Sequence, residues 1–161
     1  AYFEWIRDNK EAIAKKEDAA LAYIIEGSCQ IKRAVVEEDP KEHGVRATLN
    51  FGHTLGHSIE KLMNFSLTHG ECVAIGSLLA ADISCKRGYI SEAENRDIKE
   101  VYKYFDFPVL PEELNAQDIV KETRHDKKME HGKIKFILLA KVGEAKIYQD
   151  VTSEEMLEIL K

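Results

Sequence analysis

Across most of this chain the apolar residues recur every three or four positions, and that spacing confines it to a mainly helical architecture. Leu21, Ile24, Ile25, Cys29, Ile31 and then Val35 or Val36 follow this interval through a long segment from about Asp18 to Glu37. A shorter helix is expected ahead of it, from Tyr2 to Asn9, with Phe3 and Ile6 spaced like a helix face. Asp39-Pro40 and Gly44 end the pattern, because proline cannot continue a helix and glycine relaxes the turn. A new helical pattern runs from Arg46 to Leu62 through Leu49, Leu55 and Ile59. The next begins near His69-Gly70-Glu71 and reaches about Arg87, where Gly88 supplies a stop. Ser91 with Glu94 makes a capping-box pattern before a helix ending near Phe105, and Pro108 and Pro111 then break the chain.

The pattern changes character once. After a short helix around Asp118 to Arg124, the segments Lys135 to Leu139 and Ala145 to Tyr148 are rich in β-formers and flank Val142-Gly143, which predicts a small hairpin. Asp150 to Leu160 closes the chain as an amphipathic helix. The expected fold is mainly α, a bundle-like helical domain with a small antiparallel β-hairpin near the C-terminus. With 161 residues and no repeat, low-complexity tract or dividing linker, residues 1–161 are expected to form one domain.

Charge and composition narrow the function. A net charge of −6 argues against a general nucleic-acid binder, though a few local cations suffice for a small anionic substrate. The most apolar window, roughly Val73 to Ile83, is about half the length a bilayer span requires, so no membrane partner is expected. Cys29, Cys72 and Cys85 form no CxxC pair, and an odd count suits a reducing, cytoplasmic compartment. The chain opens mid-pattern without an initiator Met or a signal-peptide pattern, which implies upstream sequence.

The residues with chemistry are concentrated in Arg46-Ala47-Thr48-Leu49-Asn50-Phe51-Gly52-His53-Thr54-Leu55-Gly56-His57-Ser58-Ile59-Glu60, followed by Thr68-His69-Gly70-Glu71. His53 and His57 are one helical turn apart and share a face. His69 opens the next helix, and the short connection predicts an antiparallel return that brings it beside that face. Three imidazoles in one small volume suit a divalent transition metal. Two histidines at this spacing also arise by chance. Gly52 and Gly56, each about 1 kcal/mol worse than alanine inside a helix, point to a close approach by a ligand or by another backbone. Lys32, Arg46 and the Lys127-Lys128 pair are ordinary surface cations taken singly, and Glu42 an ordinary surface acid. Together the cations describe a pocket for a substrate bearing carboxylate and phosphate.

The run Leu49 to Glu60, with His69-Gly70-Glu71-Cys72-Val73-Ala74-Ile75-Gly76 at its distance, resembles the signature of the 3-dehydroquinate synthase family. Tyr2-Phe3-Glu4-Trp5, Ile31-Lys32 through Val36, Glu42 to Arg46, Asp126-Lys127-Lys128 and Lys135 to Gly143 also fall in family order, so the resemblance covers nearly the whole chain. It implies an enzyme that converts a seven-carbon keto-sugar acid phosphate into 3-dehydroquinate in the shikimate pathway, using NAD and a divalent metal, Zn2+ or Co2+. It implies His53 and His69 as metal ligands, with a glutamate upstream of this chain as the third. By the same resemblance His57, which spacing alone makes a ligand beside His53, contacts the substrate phosphate with Asn50 and Lys127. Lys32 and Arg46 would bind the carboxylate, and Glu42 would contact substrate hydroxyls as the candidate catalytic residue. The family's nucleotide-binding half, and with it all cofactor-binding residues, is expected to lie outside this chain. The fragment alone is therefore expected to be inactive, and the parent to be a homodimer.

Three other readings compete. Another sugar phosphate cyclase of this fold would have no use for both Lys32 and Arg46 if its substrate carried no acid. A metal-dependent alcohol or glycerol dehydrogenase would need no phosphate site. A non-catalytic stand-alone helical module would begin its reading frame here.

Overall fold

The computed structural model describes residues 1–42, 44–123, 129–130 and 133–161, with the side chains of residues 129, 130 and 133 left out. The chain divides into two compact units, Ala1–Leu49 and Asn50–Lys161.

The first unit is built from α1 (Tyr2–Asp8), α2 (Lys10–Ala14) and the long α3 (Asp18–Glu38). Tyr2 crosses α3 at Gly27, where an added β-carbon would collide with the Tyr2 ring. Its hydroxyl donates to the Ile24 carbonyl at 2.7 Å, and Trp5 stacks on Tyr23 with ring centres 3.8 Å apart. Among the described residues of this unit only Ala20 is buried. The sequence reading has no α2, because Lys10 to Ala14 offers only Ile13 as a strong apolar mark.

After α3, the Asp39 carboxylate accepts from the backbone N–H of Gly44 at 2.7 Å and of Arg46 at 3.1 Å, which closes a compact loop. A 3-10 helix follows, Val45–Asn50. The helix expected from Arg46 to Leu62 is thus two pieces. Gly52 sits between them with φ +81°, and α4 (His53–Leu62) begins only after it. An L-residue resists that left-handed conformation, and glycine adopts it without steric cost.

The second unit is organised around α5 (His69–Lys86), which is buried on most of its circumference. Against it pack α4, α6 (Glu92–Tyr104) and α8 (Ser153–Ile159), and α7 (Ala116–Thr123) packs on α4 and α8. β1 (Met129–Glu130) pairs antiparallel with β2 (Lys133–Ile134), and β3 (Phe136–Lys141) with β4 (Glu144–Tyr148). The second pair is the expected hairpin, turned at Gly143 with φ +88° and carrying a register shift between Leu139 and Lys141. Leu55, Ile59, Cys72, Ile75, Leu79, Ile83, Ile119, Phe136, Leu138 and Met156 form one core. Ser84, fully buried, donates to the Ala80 carbonyl at 2.7 Å and accepts from the Leu139 N–H at 3.0 Å, joining α5 to β3.

Among the described residues, three helices start at capping boxes: Thr68 with Glu71, Ser91 with Glu94, and Thr152 with Glu155. Each satisfies backbone N–H groups that the first turn leaves without partners. Among the described residues no helix is long and apolar enough to cross a membrane.

Candidate metal centre

The geometry of the centre comes from how closely α4 and α5 approach. They run antiparallel, Gly52 lying against Ser77 and Gly56 against Cys72. A β-carbon on Gly52 would stand 2.6 Å from the Ser77 nitrogen, one on Gly56 2.9 Å from the Cys72 oxygen, and one on Gly76 2.7 Å from the Gly56 nitrogen. Real β-carbons do not come that near to backbone. The glycines of the motif therefore serve helix-to-helix contact, which decides between the ligand and packing readings of Gly56. Gly52 has the added duty of turning the chain into α4.

This approach sets where the histidines stand. His53 is the first residue of α4 and His69 the first of α5. Between the helices, Asn64 (φ 50°) and Phe65 (φ 60°) reverse the chain in left-handed conformations. The Thr68–Glu71 capping box then fixes the first turn of α5: the Thr68 N–H donates to the Glu71 carboxylate at 2.8 Å, and the Glu71 N–H to the Thr68 hydroxyl at 3.3 Å. The Thr68 hydroxyl also donates to that carboxylate at 2.7 Å, and this bond, then the one from the Thr68 N–H, holds the Glu71 carboxyl below the usual carboxylate range. Glu71 thus caps the helix that carries His69. Its signal, Thr-x-x-Glu, is present in the sequence at Thr68 and Glu71.

The three imidazoles converge. Ring centres are 5.3 Å apart for His53 and His57, 5.4 Å for His53 and His69, and 5.6 Å for His57 and His69. One ring nitrogen from each lies within 4.8 Å of the others. Nitrogens bound at ~2.0–2.1 Å around a tetrahedral ion would be ~3.3 Å apart, so binding would draw these rings together by up to about 1.5 Å. Neutral imidazole is a favoured donor for zinc and cobalt, and the donor set fits such an ion. The Phe51 carbonyl accepts from His53 Nδ1 at 3.2 Å, which puts the proton on Nδ1 and the lone pair on Nε2. Glu60 accepts from His69 Nδ1 at the same distance. Burial, then the charges of Glu60 and Glu71, push the neighbouring Cys72 thiol up.

The remaining candidates are placed as follows. Asn50 ends the 3-10 helix, three residues before His53. A cleft of about 140 Å³ beside His57 is lined by Ser58, Glu60, Lys61, Phe65 and Glu122, with Lys61 and Glu122 paired at 2.7 Å. Lys127, with Asp126 and Lys128, lies outside the described residues. Lys32, Glu42 and Arg46 belong to the first unit. Lys32 is exposed on α3, while Glu42 (φ 58°) and Arg46 share the loop that Asp39 closes. There the Arg46 guanidinium donates to the Pro40 carbonyl at 2.9 Å. The sequence reading left Asp39 as mere punctuation; it is the residue that shapes this loop.

Comparison with known proteins agrees with the motif. The family model described as 3-dehydroquinate synthase C-terminal matches residues 1–129. The 3-dehydroquinate synthase of Shewanella loihica is 38% identical over 162 aligned residues, covering 99% of this chain and 45% of the relative. That of Pseudomonas fluorescens is 41% identical over 155 residues, covering 95% and 42%. The chain thus spans less than half the length of these curated relatives. Among solved structures, a 2-epi-5-epi-valiolone synthase of Streptomyces hygroscopicus, with NAD+ and Zn2+ bound, superposes with a TM-score of 0.87 at 23% identity, covering 98% of this chain and 44% of that one. A 2-deoxy-scyllo-inosose synthase complexed with carbaglucose-6-phosphate, NAD+ and Co2+ gives 0.73 at 24% identity, covering 88% and 41%. At these identities the structures show a shared fold.

Proposed function

The chain belongs to the 3-dehydroquinate synthase C-terminal family, and on that premise we propose that it is the metal- and substrate-holding domain of a 3-dehydroquinate synthase. The whole protein would convert a seven-carbon keto-sugar acid phosphate into 3-dehydroquinate and phosphate, through transient oxidation, phosphate elimination and ring closure, in the cytoplasmic shikimate pathway. The observation that carries this reading is the convergence of His53, His57 and His69 within the family's signature segment. Zn2+ or Co2+ and NAD are the proposed cofactors, supported by the solved neighbours that hold them. When bound, they would supply Lewis acidity to the hydroxyl being oxidised and a hydride acceptor, respectively.

The chain's own residues would bind and orient. His53 and His69 would offer ring nitrogens to the metal, completed by a glutamate from the part of the protein before this chain. His57, Asn50 and Lys127 would hold the substrate phosphate, the histidine by hydrogen bond and the lysine as a point charge. Lys32 and Arg46 would hold the carboxylate, and Glu42 would accept from substrate hydroxyls. No protein base is assigned, since the departing phosphate can take the proton next to the transient ketone through its own oxygen. The protein's contribution is positioning and charge stabilisation. A homodimer is the proposed assembly of the whole protein.

The test is phosphate release by the full-length protein with NAD and Zn2+ or Co2+, read against product formation. Phosphate and 3-dehydroquinate in equal amounts support the proposal; no turnover of the acid substrate refutes it. A second reading, another sugar phosphate cyclase, draws on the fold shared with the valiolone and inosose synthases. Preference for a sugar phosphate without a carboxylate in the same assay would establish it instead.

A further inference from the structure

We infer that Glu60 is a positioning residue for the proposed metal centre, acting through His69; the inference rests on the metal-site reading above. Glu60 Oε2 accepts a hydrogen bond from His69 Nδ1 at 3.2 Å, linking the last turns of α4 to the first residue of α5. The two side chains differ in exposure: Glu60 is 18% exposed and His69 54%. A half-exposed imidazole at the start of a helix turns freely unless something holds it. The carboxylate, anchored three residues after His57 on the same face of α4, is placed to hold it.

The chemistry follows from the tautomer. A carboxylate acceptor keeps the proton on Nδ1, so the lone pair resides on Nε2, and it raises the basicity of that nitrogen toward a metal ion. His53 is held by a neutral carbonyl, that of Phe51, whereas His69 is held by an anion. The two proposed ligands are thus oriented by different means, and the stronger donor is the one on the more exposed ring. Among the described residues, the mutually close donor group consists of the three imidazoles, with no carboxylate in it. Glu60 therefore reaches His69 from outside that group, as a support for a ligand.

The experiment uses the full-length protein and its Glu60→Ala, Glu60→Gln and His53→Ala variants. Co2+ and Zn2+ affinity is measured by competition with a chelator, the Co2+ visible absorption spectrum is recorded, and metal-free melting is followed as a folding control. Glu60→Ala is expected to weaken metal binding roughly 10–100-fold and to shift the Co2+ bands. Glu60→Gln, whose amide oxygen still accepts from Nδ1, is expected to restore most of the affinity and the spectrum. Parent affinity and an unchanged spectrum in Glu60→Ala, with metal lost in His53→Ala, would overturn the role of Glu60 and leave the metal site standing. Glu60→Gln losing metal as fully as His53→Ala would make Glu60 a direct ligand and overturn the positioning role. Metal retained in His53→Ala would overturn the site itself. Should Glu60→Ala melt well below the parent, the Glu60→Gln comparison decides alone.

Discussion

Gly56 lies so close to Cys72 that a single β-carbon would stand 2.9 Å from the Cys72 carbonyl oxygen and 3.1 Å from the Val73 Cα. The obstacle is backbone on a buried helix, which cannot swing aside as a side-chain tip would. Gly56→Ala is therefore expected to destabilise the protein despite alanine's better helix propensity, by about 1–3 kcal/mol, the usual cost of overpacking. Denaturant unfolding measures it. A change within ~0.5 kcal/mol would show that α4 and α5 separate easily.

Ser84 is fully buried and supplies the acceptor for the Leu139 N–H at 3.0 Å. Ser84→Ala keeps the volume close but leaves that amide without this partner. The expected loss is about 1–3 kcal/mol, the cost of a buried donor left unsatisfied. Hydrogen exchange should show the Leu139 amide losing protection in the variant, and unchanged protection would contradict the link.

Acid should weaken the attachment of α8. Arg87 donates to the two Glu155 carboxylate oxygens at 2.7 and 2.8 Å, and to Asp150 at 2.9 Å. The guanidinium, then the Thr152 hydrogen bonds, hold the Glu155 carboxyl below its usual range. Because the folded value is depressed, the stabilisation is complete above the unfolded carboxyl value of about 4.3 and is lost as pH falls through the lower folded value. Glu155→Gln should thus be less stable than the parent at neutral pH, with the gap closing below about pH 4. Parallel stability curves for the two proteins would contradict this assignment.

Metal content should separate the three histidines. In the full-length protein, His53→Ala and His69→Ala are expected to lose bound metal, while His57→Ala keeps most of it and raises KM for the phosphorylated substrate. Metal lost equally from all three would make His57 a ligand, as its 5.3 Å ring spacing from His53 also allows.

Arg46→Ala in the full-length protein is expected to raise KM for the acid substrate about tenfold or more, with metal content unchanged. Asp39→Ala, which removes the acceptor for the Gly44 and Arg46 amides, should raise KM in the same direction by loosening the loop. Loss of metal in Arg46→Ala would place the carboxylate site elsewhere.

What the sequence by itself determined is what depends on near neighbours. The helical spacing of Leu21 to Val36, the capping pair Ser91 and Glu94, the Gly88 stop and the hairpin at Val142-Gly143 are set by contacts within a few residues along the chain. The shared face of His53 and His57 follows from one helical turn. Tertiary structure decided the rest, because close approach between segments leaves no periodic mark. Gly52 reads as a residue inside a helix until its φ of +81° shows that it begins one. Gly56 is ambiguous until the Cys72 and Val73 backbone occupies the space a side chain would need. Glu60 is no more than the last residue of the signature run until the antiparallel return of α5 brings His69, nine residues later, within hydrogen-bonding distance.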